Sequence, residues 1–124
     1  MTRTFYRCAH CGSLLTALED TNVAPICCGE TMTRLTANTT DAAQEKHVPV
    51  WEILDGAARV RVGSAVHPMT EAHHISWIAL ETSNGLRVCS LTPEHAPEAS
   101  FALAAEEEVL AVYAYCNLHG LWKA

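Results

Sequence analysis

From residue 48 onward, apolar positions come in short blocks and in alternation with polar ones, not at helical spacing. The blocks are "VPVWEIL" (48–54), "AARVRVG" (57–63), "HISWIALE" (74–81), "LRVCSL" (86–91), "ASFALA" (99–104) and "EVLAVYAYC" (108–116). Between them stand "DG", "HPM", "SNG", "TPEHAPE" and an acidic run, all turn or loop signals. Short strands separated in this way predict an antiparallel β-sandwich. "AAEEEVLAV" has some helical character, but the β-branched and aromatic residues that follow favour strand. In that last block the period-two rule puts Leu110, Val112, Ala114 and Cys116 on one face. Cys116 then ends a row of inward-pointing apolar residues.

Upstream the texture changes. Residues 37–44, "ANTTDAAQ", are small and polar and read as a linker. They divide a cysteine-rich module, residues 1–36, from a larger domain, residues 37–124. With 124 residues, 49% apolar and 18% charged, the chain suits a soluble globular protein with a modest core. The formal net charge of -6 argues against a nucleic-acid partner. No apolar run approaches the roughly 20 residues that span a bilayer, and "MTRTFYRCAH" has no apolar signal core, so a cytoplasmic location is expected. In a reducing compartment six cysteines point to metal ligation before disulfides.

Four of the six fall early, as "CAHC" (Cys8 and Cys11) and "CCG" (Cys27 and Cys28). A C-x2-C pair wraps one face of a metal, and Gly12 lets the chain turn so that N–H groups point at sulfur. Adjacent Cys27 and Cys28 would point to opposite sides of an extended strand, so the chain must kink there, which Gly29 eases. Four thiolates in this pattern hold zinc or iron, and spacing alone does not choose between them.

A second group gathers around Cys116. "CNLHG" places His119 three residues further on, in a turn that Gly120 can finish, while His47, His67, His73 and His74 stand at strand ends. One histidine in such a place is unremarkable as a ligand candidate; four motifs beside one cysteine are not.

These features resemble the desulfoferrodoxin type of superoxide reductase. The resemblance is carried by "FYRCAHCG", "CCGETM", "ANTTDAAQEKHVPVWEI", "HPMTEAHHISWI" and "YCNLHGLWK", in that order, and spans nearly the whole chain. It implies a desulforedoxin-like module with one iron on Cys8, Cys11, Cys27 and Cys28. An immunoglobulin-like sandwich would follow, with a second iron on His47, His67, His73 and His119 and an axial Cys116 thiolate. His73 is chosen over His74 because the family places this ligand six residues after the HPM histidine. Thr31 stands where the family often has proline in "CCGEPM", and it touches no ligand.

Four imidazoles and one thiolate leave a sixth position open, which suits a redox iron better than a closed structural zinc. The expected reaction is one-electron reduction of superoxide to hydrogen peroxide, with two protons taken up and no oxygen made. Lys46, next to a ligand, is expected to draw in the anion and assist protonation, and Glu45 to close the open position in the ferric state. The resemblance further implies a homodimer and a small donor such as rubredoxin, with the four-cysteine iron as relay. Cys89 reads as a core residue, His10 as exposed, His74 and His95 as non-ligands, and Trp51, Trp77 and Trp122 as core or rim packing, with a tryptophan near the site able to shield the thiolate. Two rival classes are a one-iron electron carrier and a zinc-stapled binding module.

Overall fold

The structure, a computed structural model, describes residues 3–124; Met1 and Thr2, which open the N-terminal module, lie outside the described residues. The chain divides into two compact units, Met1–Thr36 and Ala37–Ala124. Among the described residues no helix is long and apolar enough to cross a membrane.

The first unit is made of very short strands. β1 (Phe5–Arg7) pairs antiparallel with β2 (Leu14–Thr16), and β3 (Ile26–Cys27) with β4 (Glu30–Thr31); β5 (Thr33–Arg34) joins the other side of β1. Tyr6, Cys8 and Met32 form its small buried cluster, with Ala24 and Cys27 against it. Leu18, Val23 and Ile26 stay largely exposed. So thin a core cannot offset the ordering entropy of these residues without a staple.

The second unit is the sandwich. After one helical turn, α1 (Gln44–His47), come β6 (Pro49–Leu54), β7 (Ala57–Val62), β8 (Ile75–Thr82), β9 (Gly85–Ser90), β10 (Glu98–Ala102), β11 (Val109–Cys116) and β12 (Gly120–Lys123). One sheet has the order β10-β7-β6 and the other β12-β11-β8-β9, with every pairing antiparallel. The core takes alternate residues from both sheets: Val60 and Val62 of β7, Ile78 and Leu80 of β8, Phe101 of β10, and Val112, Ala114 and Cys116 of β11. The all-β expectation therefore holds.

Three local readings change. Leu110 does not share the inward face: a bulge between Val109 and Ala111 gives β11 one residue more than β8, which turns Val109 toward the core and leaves Leu110 51% exposed. Residues 37–44 are not a free linker. Asn38 donates its N–H to the Leu121 carbonyl and its Nδ2 to that of Lys123, and its Oδ1 accepts from the Lys123 N–H, so this segment is tied to β12. β12 itself, only four residues long, carries too little pattern to read as a strand; its pairing with β11 creates it.

Candidate metal centres

The four-cysteine group forms from two turns. In the first, the Cys8 N–H donates to the Ser13 carbonyl and the Gly12 N–H to that of Cys8, so the Cys11 N–H reaches Cys8 Sγ at 3.4 Å. The second is the two-residue hairpin turn between β3 and β4, with Cys28 at φ 53° and Gly29 at φ 77°, the pair of left-handed residues a type I′ turn requires. The kink that adjacent cysteines need thus lies at Cys28 as well as Gly29. It brings Cys27 Sγ to 3.9 Å from Cys28 Sγ and 3.7 Å from Cys11 Sγ, and all four sulfurs lie within 4.8 Å of one another. The Ser13 hydroxyl and N–H hold the Cys11 thiol down to about 6, and the Cys11 N–H lowers Cys8. Cys27 is pushed up to about 12 and Cys28 is also raised, chiefly through their contacts with Cys11. Cys11 is ready to ionise at neutral pH, whereas Cys27 and Cys28 need a cation to ionise.

The second group assembles from four segments of the sandwich. His47 ends α1, His67 and His73 lie in the loop between β7 and β8, Cys116 ends β11, and His119 lies in the turn to β12. His47 is thus not at the start of a strand but on the helical turn ahead of β6. The four rings form a closed circuit. Neighbouring centroids are 4.7 Å (His47–His67), 4.6 Å (His67–His73), 5.0 Å (His73–His119) and 4.9 Å (His119–His47) apart, with interplanar angles of 79°, 80°, 80° and 86°. His47 and His73 face each other across the circuit at 6.2 Å. Donor atoms of His47, His67, His73 and Cys116 all lie within 4.8 Å of one another, and His119 Nδ1 is 3.1 Å from His47 Nε2 and 3.9 Å from Cys116 Sγ.

Hydrogen bonding shows what this circuit is for. His47 Nδ1 lies 2.7 Å from the Ala43 carbonyl and His67 Nδ1 2.6 Å from that of Pro68. A carbonyl only accepts, so both Nδ1 atoms carry the proton and both Nε2 atoms present lone pairs. Those two Nε2 atoms are 3.2 Å apart. Burial lowers the pKa of His47 and His73 and takes His67 down to about 4, which keeps these rings neutral at pH 7. Two lone pairs facing each other with no proton between them repel unless a cation joins them. His73 Nε2 is buried with no hydrogen-bond partner. Burial raises the Cys116 thiol, so that sulfur too is ionised only by a cation, although the N–H groups of His119 and Leu118 favour the thiolate. Converging imidazole nitrogens with one soft sulfur fit an iron ion.

The sequence marks Trp122 only as packing and does not mark Gly63 at all. Fully buried Trp122 stacks on the His47 ring at 4.9 Å and donates its Nε1–H to the His119 backbone carbonyl at 3.1 Å, so one side chain touches both segments. Gly63 lies under α1: a Cβ there would stand 2.6 Å from the Glu45 carbonyl oxygen and 2.9 Å from that of Val48, so only glycine admits the turn that carries His47. Composition signals neither; both depend on what folds opposite them.

Glu45 and Lys46 are exposed on α1. The Lys46 charge is felt at both His47 and His73, which it lowers, and Glu45 raises His47. The Glu45 carbonyl accepts the Ala65 N–H, which fixes the turn to the neighbouring loop. Other residues fall outside both groups. His10 is exposed and 3.0 Å from Glu30; His74 Nδ1 lies 2.9 Å from the Thr70 carbonyl, and His95 Nδ1 accepts the Thr92 N–H. Cys89 is partly buried against the core, Trp77 stacks on Tyr115, and Trp51 is on the edge strand, 38% exposed.

A family model described as Desulfoferrodoxin matches residues 39–124. The chain is 43% identical over 119 residues to the desulfoferrodoxin of Desulfarculus baarsii and 44% identical over 119 residues to that of Nitratidesulfovibrio vulgaris; each match covers 96% of this chain and 93% of the relative. Among solved structures it is similar to the superoxide reductase of Treponema pallidum, with a TM-score of 0.85 and 36% identity over 100% of this chain and 99% of that one. A one-iron superoxide reductase of Giardia intestinalis matches with a TM-score of 0.56 and 33% identity, covering 64% of this chain and 95% of its own.

Proposed function

The chain belongs to the desulfoferrodoxin family, and from that premise we propose that it reduces superoxide to hydrogen peroxide at its histidine–cysteine centre, with the four-cysteine centre as electron relay. It is an oxidoreductase acting on superoxide, with two iron sites. The observation that carries the reading is the set of ring nitrogens around Cys116: the unprotonated Nε2 atoms of His47 and His67 and the buried, partnerless Nε2 of His73. His47, His67, His73 and His119 would hold the catalytic iron with Cys116, and Cys8, Cys11, Cys27 and Cys28 the other. Residues 1–36 are then the desulforedoxin-like module and residues 37–124 the catalytic domain.

A ferrous ion supplies the single electron. The protein supplies approach, orientation and protons. Lys46 places a cation beside His47 on a chain whose formal net charge is -6, so it gives an anion a local attraction that the overall field does not. Its Nζ, or a water ordered by it, hands on a proton. Glu45, one residue before it, would supply a carboxylate to the iron in its oxidised state. Full burial of Cys116 keeps water from the sulfur. Superoxide plus one electron and two protons gives hydrogen peroxide, and no oxygen is made.

The finer points are cytoplasmic location, a rubredoxin-type donor and a homodimer. The edge strand β6 supports the last: Trp51 and Ile53, which alternate toward the core, are 38% and 56% exposed, and the outward Leu54 is 47% exposed. The test is stoichiometric. Iron-loaded, chemically reduced protein exposed to a pulse of superoxide should yield one hydrogen peroxide per superoxide consumed with no oxygen. Oxygen release at half that amount would make it a dismutase, and stoichiometric zinc in a colourless protein would remove the enzyme reading altogether.

A further inference from the structure

The ladder between β8 and β11 ends at the pair Cys116–Ile75. One residue beyond it, Asn117 continues the pairing with its side chain. Its Oδ1 accepts the His74 N–H at 2.8 Å, its Nδ2 donates to the Ala72 carbonyl at 3.0 Å, and its own N–H donates to the His74 carbonyl at 3.2 Å. One side-chain amide thus stands in for a peptide unit. Its bonds straddle His73, holding the residue before it and the residue after it. On the other side the loop closes on Thr70: the His73 N–H donates to Thr70 Oγ1 at 3.1 Å, and the Thr70 N–H to the His73 carbonyl at 2.9 Å.

His73 needs this more than its neighbours do. The rings of His47 and His67 are aimed by their own Nδ1 bonds to carbonyls, and Trp122 stacks on the first. Among the described residues the His73 ring has no hydrogen bond, and its Nε2 is buried without a partner. Its direction is therefore set by its backbone. Asn117 is also the residue after Cys116, so one clamp ties the sulfur to the imidazole of another loop.

We propose that Asn117 is a positioning residue that locks His73 and Cys116 into one preformed half of the centre. This rests on the ligand reading above. Asn117 touches no reacting atom; it acts through the two ligands. The residue type matters because only a short amide offers a donor and an acceptor at this reach: aspartate lacks the donor, and serine is too short.

The test compares the full-length wild type with Asn117→Ala and Asn117→Asp. Zn2+ affinity is read from the ring resonances of His67 and His119 in competition with a chelator, and amide hydrogen exchange is measured on the zinc-free chain. Loss of an outer-shell partner typically weakens metal binding about 10- to 100-fold. Asn117→Ala should show a loss in this range and faster exchange at the His74 amide, while amides of β8 and β11 and the four-cysteine centre are unchanged. Asn117→Asp keeps the acceptor and should lose less. Affinity within twofold of wild type in Asn117→Ala would overturn the proposal. So would a loss accompanied by equally faster exchange along β8 and β11, since the residue would then serve the fold and not His73. If the alanine variant does not fold, the aspartate variant is judged by the same two measurements. A wild-type chain that fails to bind Zn2+ through these rings would instead sink the ligand reading, before any substitution is made.

Discussion

The two centres differ in how far apart in sequence their donors lie and in what holds them. The four cysteines come from one short stretch, Cys8 to Cys28, and are set by two local turns around a core of little more than Tyr6, Cys8 and Met32. The histidine–cysteine centre draws on residues from His47 to His119, carried by four segments above a core filled from both sheets. In the first, the metal is part of the fold. In the second, the sandwich has its own core and carries nitrogens that converge from four segments. A site of the first kind is suited to holding charge without rearranging, and one of the second kind to holding its donors in place, because its geometry does not depend on the metal alone.

Metal removal should separate the two most widely. Chelation should unfold residues 3–36, where ligation of a small module contributes on the order of 10 kcal/mol, and leave the sandwich folded. Hydrogen exchange on the full chain would show it; protected amides persisting in β1 and β2 of metal-free protein would erase the distinction.

Ligand substitutions come next. Cys116→Ser should lower superoxide consumption by at least about 100-fold, the upper end of what losing even an outer-shell partner costs. Cys28→Ser should leave consumption by chemically reduced protein close to wild type and abolish relay from a donor protein. The reverse order would move the chemistry to the N-terminal unit.

Lys46 sharpens the electrostatic side. Lys46→Ala should slow oxidation of the reduced centre by superoxide roughly tenfold, within the range of electrostatic steering. Wild type should also slow as salt rises, through screening over about 10 Å at 0.1 M, and the variant should respond less. Equal rates and equal salt slopes, measured by flash or stopped-flow spectroscopy, would leave Lys46 as a solvated surface charge.

The smallest effect lies in the sandwich, in a network without metal ligands. The Glu107 carboxyl is held below its ordinary value first by the Thr82 hydroxyl, then by the Ala104 N–H and by Arg87, 2.9 Å away. A carboxylate lowered in the folded state contributes stability above the unfolded value of 4.5, and that contribution is lost as pH falls through the folded value. Glu107→Gln should therefore lower the stability of the sandwich near neutral pH and flatten its acid limb. Unchanged thermal unfolding between pH 3 and pH 7, on the order of one titration range for a carboxyl, would mean the network is not felt.

Local chemistry made much of this legible in the chain itself. Alternation and turn residues specify six of the seven sandwich strands because a half-buried strand repeats every two residues. The C-x2-C and "CCG" motifs specify a tetrathiolate group because their geometry is closed by turns of a few residues, one of them centred on Cys28 and Gly29. Other features depend on partners far along the chain. Leu110 turns outward because β11 holds one residue more than β8 at that point, and parity within one strand cannot register a mismatch with another. β12 exists because β11 pairs with it, and residues 37–44 are ordered because Asn38 meets that same strand. His73 and His74 are indistinguishable by type and neighbours; tertiary structure gives them different surroundings. Asn117 grips the chain on either side, Thr70 closes the loop, and the His73 ring is left among three other imidazoles while His74 turns its Nδ1 to the Thr70 carbonyl. Ligand identity is a property of residues, but aim is a property of the backbone that carries them, and that is settled only when distant segments meet.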